Sequence, residues 1–452
     1  MLVIISDLHI SDESTSTNPH PTAFSKVLKE ELKGRINQSG KNLVEFHLVL
    51  LGDIFDFVRT DYWYSKTTNY IERPWNGDLS RYTAMNETGI VKQHFINILN
   101  RIFDSDSAKA LRNTIQEINE LMPLKITYVI GNHDRAINNF PVLEKMIKSF
   151  FGIDNITFSN WVIDPNYGVI ARHGHEYDSI NHGFELFKEE LNIDDNGIKK
   201  FDGIGRFSGK DAKFNVYTVQ TFGEVITAEL MSGTVFQVDK LNQKVLTDKV
   251  KEVNNVRPLS LGLEYLSLLG ETDEVKNSPD PATKDKLIKI LKGQISALVN
   301  SKLAQKHKYH LFKFAQDLPF SSFEGLRDWL NIANFFSDLC GSNGEFEDDL
   351  YKGAIQDAKN NPGINYFIYG HTHIERQDTF NSDSKNNVQM YVNTGTYLPL
   401  IQRAQDEKGF YELNQMTMTF LYKAVEDSEG NADGKPTIDI WIGKKHKNYL
   451  LK

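Results

Sequence analysis

Leu2-Val3-Ile4-Ile5-Ser6-Asp7-Leu8-His9 stands near the start of the chain. Four apolar residues, three of them β-branched, followed by a Ser-Asp pair, read as a buried strand that delivers polar groups at its C-terminal end. The signature recurs. Residues 43–51 run into Gly52-Asp53-Ile54-Phe55-Asp56, and 124–130 run into Gly131-Asn132-His133-Asp134. Residues 169–172 run into His173-Gly174-His175, and 365–369 run into Gly370-His371-Thr372-His373.

Helical patterns separate the first three strands. Phe24, Val27, Leu28 and Leu32 share one face, with Gly34 expected as the stop; Val91, Phe95, Ile98 and Ile102 share another. A third face carries Leu111, Ile115, Ile118 and Met122, and Pro123 ends it. Strand–helix–strand order means α/β architecture, in which sites gather at the strand ends. Residues 156–164 and 169–172, around Asn166-Tyr167-Gly168, read as a hairpin. From about residue 177 to 363 the pattern is mostly helical, with faces at Leu287, Leu291, Ile295 and Leu298 and at Leu326, Trp329, Ala333 and Phe336. Strands resume at 388–393, and 416–422 should pair with 437–442. The expected organisation is a core built from 1–176 and 364–452, interrupted by a helical insertion over 177–363. Both ends of the insertion adjoin the strand-end clusters, so a cap over the site is expected.

The five clusters offer imidazoles, carboxylates and one amide but no thiolate, a donor set suited to Mn²⁺, Fe or Zn²⁺ and too rich in nitrogen for Ca²⁺. Each alone is ordinary loop composition. Their conjunction, each after an apolar run, is not, because polar groups clustered at buried strand ends need partners.

The ordered set D-x-H, G-D-x-x-D, G-N-H-D, H-G-H and G-H-x-H resembles the calcineurin-like metallophosphoesterase superfamily. The likeness covers residues 1–178 and 365–396. It implies an α+β sandwich of two packed sheets flanked by helices, with a two-metal site at the strand ends. It implies that Asp7, His9 and His373 hold one divalent ion, and that Asn132, His173 and His371 hold the other. Asp53 would bridge them, and Mn²⁺ is the expected metal. The choice of His173 over His175 follows the usual H-G-[DH] pattern. His133 would be the catalytic histidine and Asp134 its orienting carboxylate. Such a site polarises phosphoryl oxygens and holds a bridging hydroxide that attacks phosphorus in line. The expected activity is hydrolysis of a phosphoester or diphosphate bond in a phosphorylated small molecule, a nucleotide or a lipid-linked diphosphate.

Phe57-Val58 stands where protein phosphatases of the superfamily carry Arg-Gly, which argues against that branch. Tyr391-Val392-Asn393-Thr394-Gly395-Thr396 and the run from His173 to Asp178 look like bacterial UDP-2,3-diacylglucosamine diphosphatases. However, those enzymes usually carry Arg where this chain has His133, and they lack so large an insertion. A DNA-repair nuclease subunit is the alternative, with basic runs at Lys302 to Lys313 and Lys444 to Lys447; a non-catalytic scaffold is a third reading. Arg59, Arg81 and Arg135 are candidate phosphate clamps. The aromatic group Phe55, Phe57, Tyr62, Trp63 and Tyr64 is expected to pack rather than stack on a ligand. The insertion's apolar positions, Leu259, Leu263, Leu266, Leu269 and Leu298, suit a helical core.

The chain has 452 residues, with 51 basic against 60 acidic side chains and a formal charge of −9. Net acidity weighs against non-specific nucleic-acid binding. A single cysteine, Cys340, excludes an intramolecular disulfide and a Cys-rich zinc module. No apolar run approaches the ~20 residues of a membrane span, and the N-terminal stretch lacks a signal-peptide pattern, so a cytoplasmic location is expected.

Overall fold

The computed structural model describes the chain except residues 44, 66–67, 77–88, 179, 183–215, 219, 258–260, 307–320, 327–345, 381–387, 407, 428–433 and 452. Leu259, Arg81, Trp329, Ala333, Phe336, Cys340 and most of the run from Lys302 to Lys313 lie outside the described residues.

Two mixed sheets pack face to face between helices. Strands β1 (Leu2–Ile5), β2 (Phe46–Leu51), β3 (Leu124–Val129) and β4 (Ile156–Ser159) are parallel neighbours in that order. Strands β5 (Trp161–Asp164), β6 (Val169–Arg172), β7 (Tyr366–Tyr369), β8 (Glu375–Phe380) and β9 (Gln389–Thr394) form the second sheet, in the order β5-β6-β7-β9-β8. Strands β10 (Pro399–Arg403), β11 (Phe410–Tyr422) and β12 (Thr437–Leu451) return to the first sheet, where β11 lies antiparallel to β1, β10 and β12.

Alternation along the strands creates the layers. Leu2, Ile4, Val49, Leu51 and Val129 of the first sheet meet Val162, Val169, Ala171, Ile368 and Val392 of the second. Their neighbours Val3, Ile5, Leu48, Leu50, Ile126 and Tyr128 turn to the opposite face. There they meet helices α1 (Lys29–Ser39), α2 (Gly89–Phe103), α3 (Asp106–Leu121) and α4 (Pro141–Phe151). Burying each such aliphatic side chain stabilises by about 1.5–3 kcal/mol. Ile170, Phe367, Tyr369 and Tyr391, on the outer face of the second sheet, are covered by Leu350, Ala354 and Ala358 of a helix over Phe346–Asn360.

Other described helices between residues 177 and 363 include Gly233–Asp239, Lys244–Lys251 and Thr283–Val299. Their Val235, Val238, Leu246, Leu291, Ile295 and Leu298 join the same apolar cluster as the helical face of the first sheet. These described helices therefore share the core on the helical face of the first sheet.

Two local expectations differ from the fold. Helix α1 runs through Gly34 and stops at Gly40, whose φ of 54° ends the helical hydrogen bonding. Residues 156–164 are not one hairpin arm. The chain breaks at Asn160; β4 pairs with β3, and only β5 pairs with β6. The expected pairing of 416–422 with 437–442 is present within β11 and β12.

Candidate metal centre

The carboxyl ends of β1, β2, β3, β6 and β7 deliver the five clusters to one place. Among the described residues, three groups each bring one donor atom per residue to within 4.8 Å of the others in the group: Asp7, His9 and His373; His9, Asp53 and His133; and Asp53, His173 and His371. In the first group the Nε2 atoms of His9 and His373 stand 2.8 Å apart. Asp7 Oδ1 lies 3.8 Å from the former and 3.5 Å from the latter. Asp53 Oδ2 joins the groups, at 3.5 Å from His9 Nε2 and 3.1 Å from His173 Nε2. Asn132 Oδ1 lies 3.1 Å from His173 Nε2 as well. All seven residues expected to bind metal are thus brought together. His175, the other candidate on its strand end, rests beside Glu176 and the His182 and Tyr217 rings.

The backbone is bent to achieve this. Asp7, His9, Asp53, His371 and His373 have φ between 44° and 74°, and they are five of the seven described non-glycine residues with positive φ. Such conformations cost of order 1–3 kcal/mol each and persist where the surroundings over-determine them. The surroundings are visible. Asp7 N and His9 N donate to Gly52 O and Asp53 O, at 3.1 and 2.8 Å. His371 N donates to both oxygens of Asp7, and His133 N to Asp53 Oδ1 at 2.8 Å. A side chain at Gly131 would collide with the Asp53 carboxylate, and one at Gly370 with that of Asp7, so both positions require glycine. The segment from Asn393 to Thr396 is a brace: Thr396 Oγ1 donates to Asp7 O at 2.7 Å, and Asn393 Nδ2 to Gly370 O at 2.9 Å. Gln415 Nε2 holds His373 O at 2.6 Å.

Charge in the pocket is arranged for a cation. Burial alone would lower the His173 pKa, but Asp53 and Asp7 outweigh it and raise it to about 10. Burial, then the Arg59 charge, lowers the pKa of His9, and burial with Arg257 holds His373 well below its usual value. Those two rings are therefore neutral, the state in which imidazole is a ligand. Against burial, His173 and His133 hold Asp53 ionised. Neutral His9 and His373 beside the carboxyl groups of Asp7 and Asp53 fit a divalent ion in the first group; in the second, a cation taking up the Asp53 charge would compete with the proton that this charge holds on His173.

The carboxylate beside His133 is not Asp134. Asp134 accepts from Ile54 N, Gly131 N and the Tyr128 hydroxyl, at 3.0, 2.6 and 2.7 Å, and so braces two strand ends. Burial and the Asp53 charge raise its pKa to about 7. Asp56 takes the expected place: its Oδ2 lies 2.9 Å from His133 Nδ1 and 3.0 Å from His9 Nδ1. Despite burial, Asp56 and Asp53 raise the His133 pKa. The G-D-x-x-D motif carried this signal in its last acid. Asp178 similarly holds His371 Nε2 at 2.8 Å.

Of the candidate clamps, Arg135 is committed to Glu224 through two hydrogen bonds, at 2.5 and 3.1 Å. Arg59 sits beside Asp56. The aromatic group packs: Phe55, Phe57 and Trp63 are buried in the core. In the second basic run, Lys444 pairs with Glu375. Arg257 was not foreseen. Its Nη2 reaches His373 Nδ1 at 2.8 Å from within the helical stretch.

The chain matches no model of a known protein family and no curated protein. Among the described residues, no helix is long and apolar enough to cross a membrane.

Proposed function

We propose that the chain is a calcineurin-like phosphoesterase that hydrolyses a phosphoester or diphosphate bond with two divalent ions, Mn²⁺ foremost. The observation that carries this reading is the pair of donor groups joined at Asp53, held by strained backbone at the ends of parallel strands. Two ions there would supply a hydroxide nucleophile near neutral pH and offset charge on the phosphoryl oxygens. Asp7, His9 and His373 would hold one ion, and Asn132, His173 and His371 the other, with Asp53 between. His133 has the most exposed side chain of the group, 11 % against 8 % for His371, so it can meet a substrate. Asp56, 2.9 Å from Nδ1, raises its pKa and so favours the protonated form. In that reaction His133 would give its proton to the leaving oxygen as that oxygen's bond to phosphorus breaks and a water-derived oxygen takes its place on phosphorus.

Asp53→Asn tests the shared carboxylate. Metal analysis of the variant, reconstituted with Mn²⁺ and freed of excess, should give clearly fewer than two equivalents and little turnover of p-nitrophenyl phosphate. Two tightly held equivalents would contradict a bridging role.

A further inference from the structure

Two arginines flank the first donor group; Arg59 shares its ion-pair partner, Asp56, with two histidines, and Arg257 pairs with no carboxylate among the described residues. Arg59, on the loop after β2, is 3 % exposed, and its Nε and Nη1 carry no hydrogen bond. Its nearest acid, Asp56, stands 3.4 Å from Nε and already serves His9 and His133. Arg257 comes from the other side of the site, on the helical stretch. Its backbone N–H is fixed to Ile401 O at 2.8 Å, in line with the bridge between Val256 and Ile401. Its guanidinium donates to Asn254 O, Val256 O and the His373 ring. Among the described residues it has no carboxylate partner. The same three acids, Asp7, Asp53 and Asp56, act on both guanidiniums, and the two repel each other. Once Asp7 and Asp53 serve cations, two buried or half-buried guanidiniums face the site with too little counter-charge, a costly state unless an anion completes it.

We propose that Arg257 and Arg59 form a paired guanidinium seat for a terminal phosphoryl group, so that the substrate class is a phosphomonoester rather than a phosphodiester. A monoester brings about two negative charges at neutral pH, and a diester brings one. Guanidinium forks suit the three free oxygens of a terminal group. A diester would also have to place a second substituent on phosphorus among side chains that are almost fully enclosed: Asp7, His9, Asp53, His173 and His373 are each at most 2 % exposed. Arg257 gives the helical stretch a direct part in selectivity. The proposal rests on the phosphoesterase reading and narrows it.

The test uses full-length, Mn²⁺-loaded protein, with p-nitrophenyl phosphate and bis-p-nitrophenyl phosphate assayed side by side and inorganic phosphate binding measured by calorimetry. Wild type should prefer the monoester. Arg257→Met should lower the monoester-to-diester ratio of kcat/KM about tenfold or more, mainly through KM, and weaken phosphate binding to match, as expected for lost charge-assisted hydrogen bonds. Arg257→Lys, which keeps the charge without the fork, should recover part of the phosphate affinity. Metal content and thermal midpoint, measured on each variant, establish that it is folded and loaded. Should a variant be unfolded, the wild-type preference decides: diester preference overturns the proposal. An unchanged ratio in loaded Arg257→Met overturns it too, while leaving the phosphoesterase reading intact. Wild type that binds two Mn²⁺ yet neither binds phosphate nor cleaves either ester overturns both.

Discussion

His133 is oriented from another strand end, not by its own neighbour in sequence. Adjacency in G-N-H-D made Asp134 the expected partner, yet the turn that presents His133 directs Asp134 back onto Ile54, Gly131 and Tyr128. Contact order across strands cannot be read from a motif, which is why Asp56 escaped assignment while the seven clustered donors did not. Arg257 lies 116 residues from His373 in sequence, within a helical pattern that carries no motif, so nothing marked it. The roles separate by mutation. His133→Ala should lower kcat by about 10²–10⁴, the usual worth of a positioned acid, with both metals retained. Asp56→Asn should lower kcat and also weaken metal binding, because the same oxygen sits at 3.0 Å from His9. A metal-loaded His133→Ala protein working at full rate would contradict the assignment.

Elements were legible where apolar runs were continuous and obscure where they were not. Strands β1, β2, β3 and β7 are buried on both faces and read directly from β-branched and aromatic residues. Strand β8, Glu-Arg-Gln-Asp-Thr-Phe at the edge of its sheet, is half-exposed along its length and left no such run. The split between β4 and β5 hides in a stretch whose only punctuation is Ser159-Asn160 and which buries only Ile156 and Val162. Strand β2 also contains a polar exception. His47 is buried, pairs with Thr127 at 2.9 Å, and has its pKa lowered to about 4 by burial, with Lys125 and the N-terminal ammonium adding to the effect. The unfolded chain binds this proton near pH 6.5, the folded chain near 4. Stability from keeping His47 neutral is thus complete above about pH 6.5 and lost as pH falls towards 4, amounting to roughly 3 kcal/mol. His47→Gln should flatten that part of the acid limb, read from denaturant midpoints between pH 7 and 4.5. An unchanged slope would mean that His47 is not the group responsible.

The whole molecule joins a two-sheet sandwich to a helical stretch that serves it in two ways. Phe346–Asn360 covers the outer face of the second sheet, while the helices from Gly233 to Val299 extend the core of the first and lead Arg257 to the site. The loss of strand signals marked a helical stretch; the packing of its described helices on the first sheet was not marked, because amphipathic periodicity shows that a face is buried without showing against what. Glu224 on Arg135 and Arg257 on His373 tie that stretch to the candidate metal centre. Catalysis should accordingly depend on both donor groups filling within one assembled protein. The most direct measurement is stoichiometric titration of metal-free protein with Mn²⁺ while p-nitrophenyl phosphate hydrolysis is followed. Activity should be absent without metal and reach its plateau at two equivalents per chain. Turnover in metal-free protein, or a plateau at one equivalent, would contradict a dinuclear phosphoesterase.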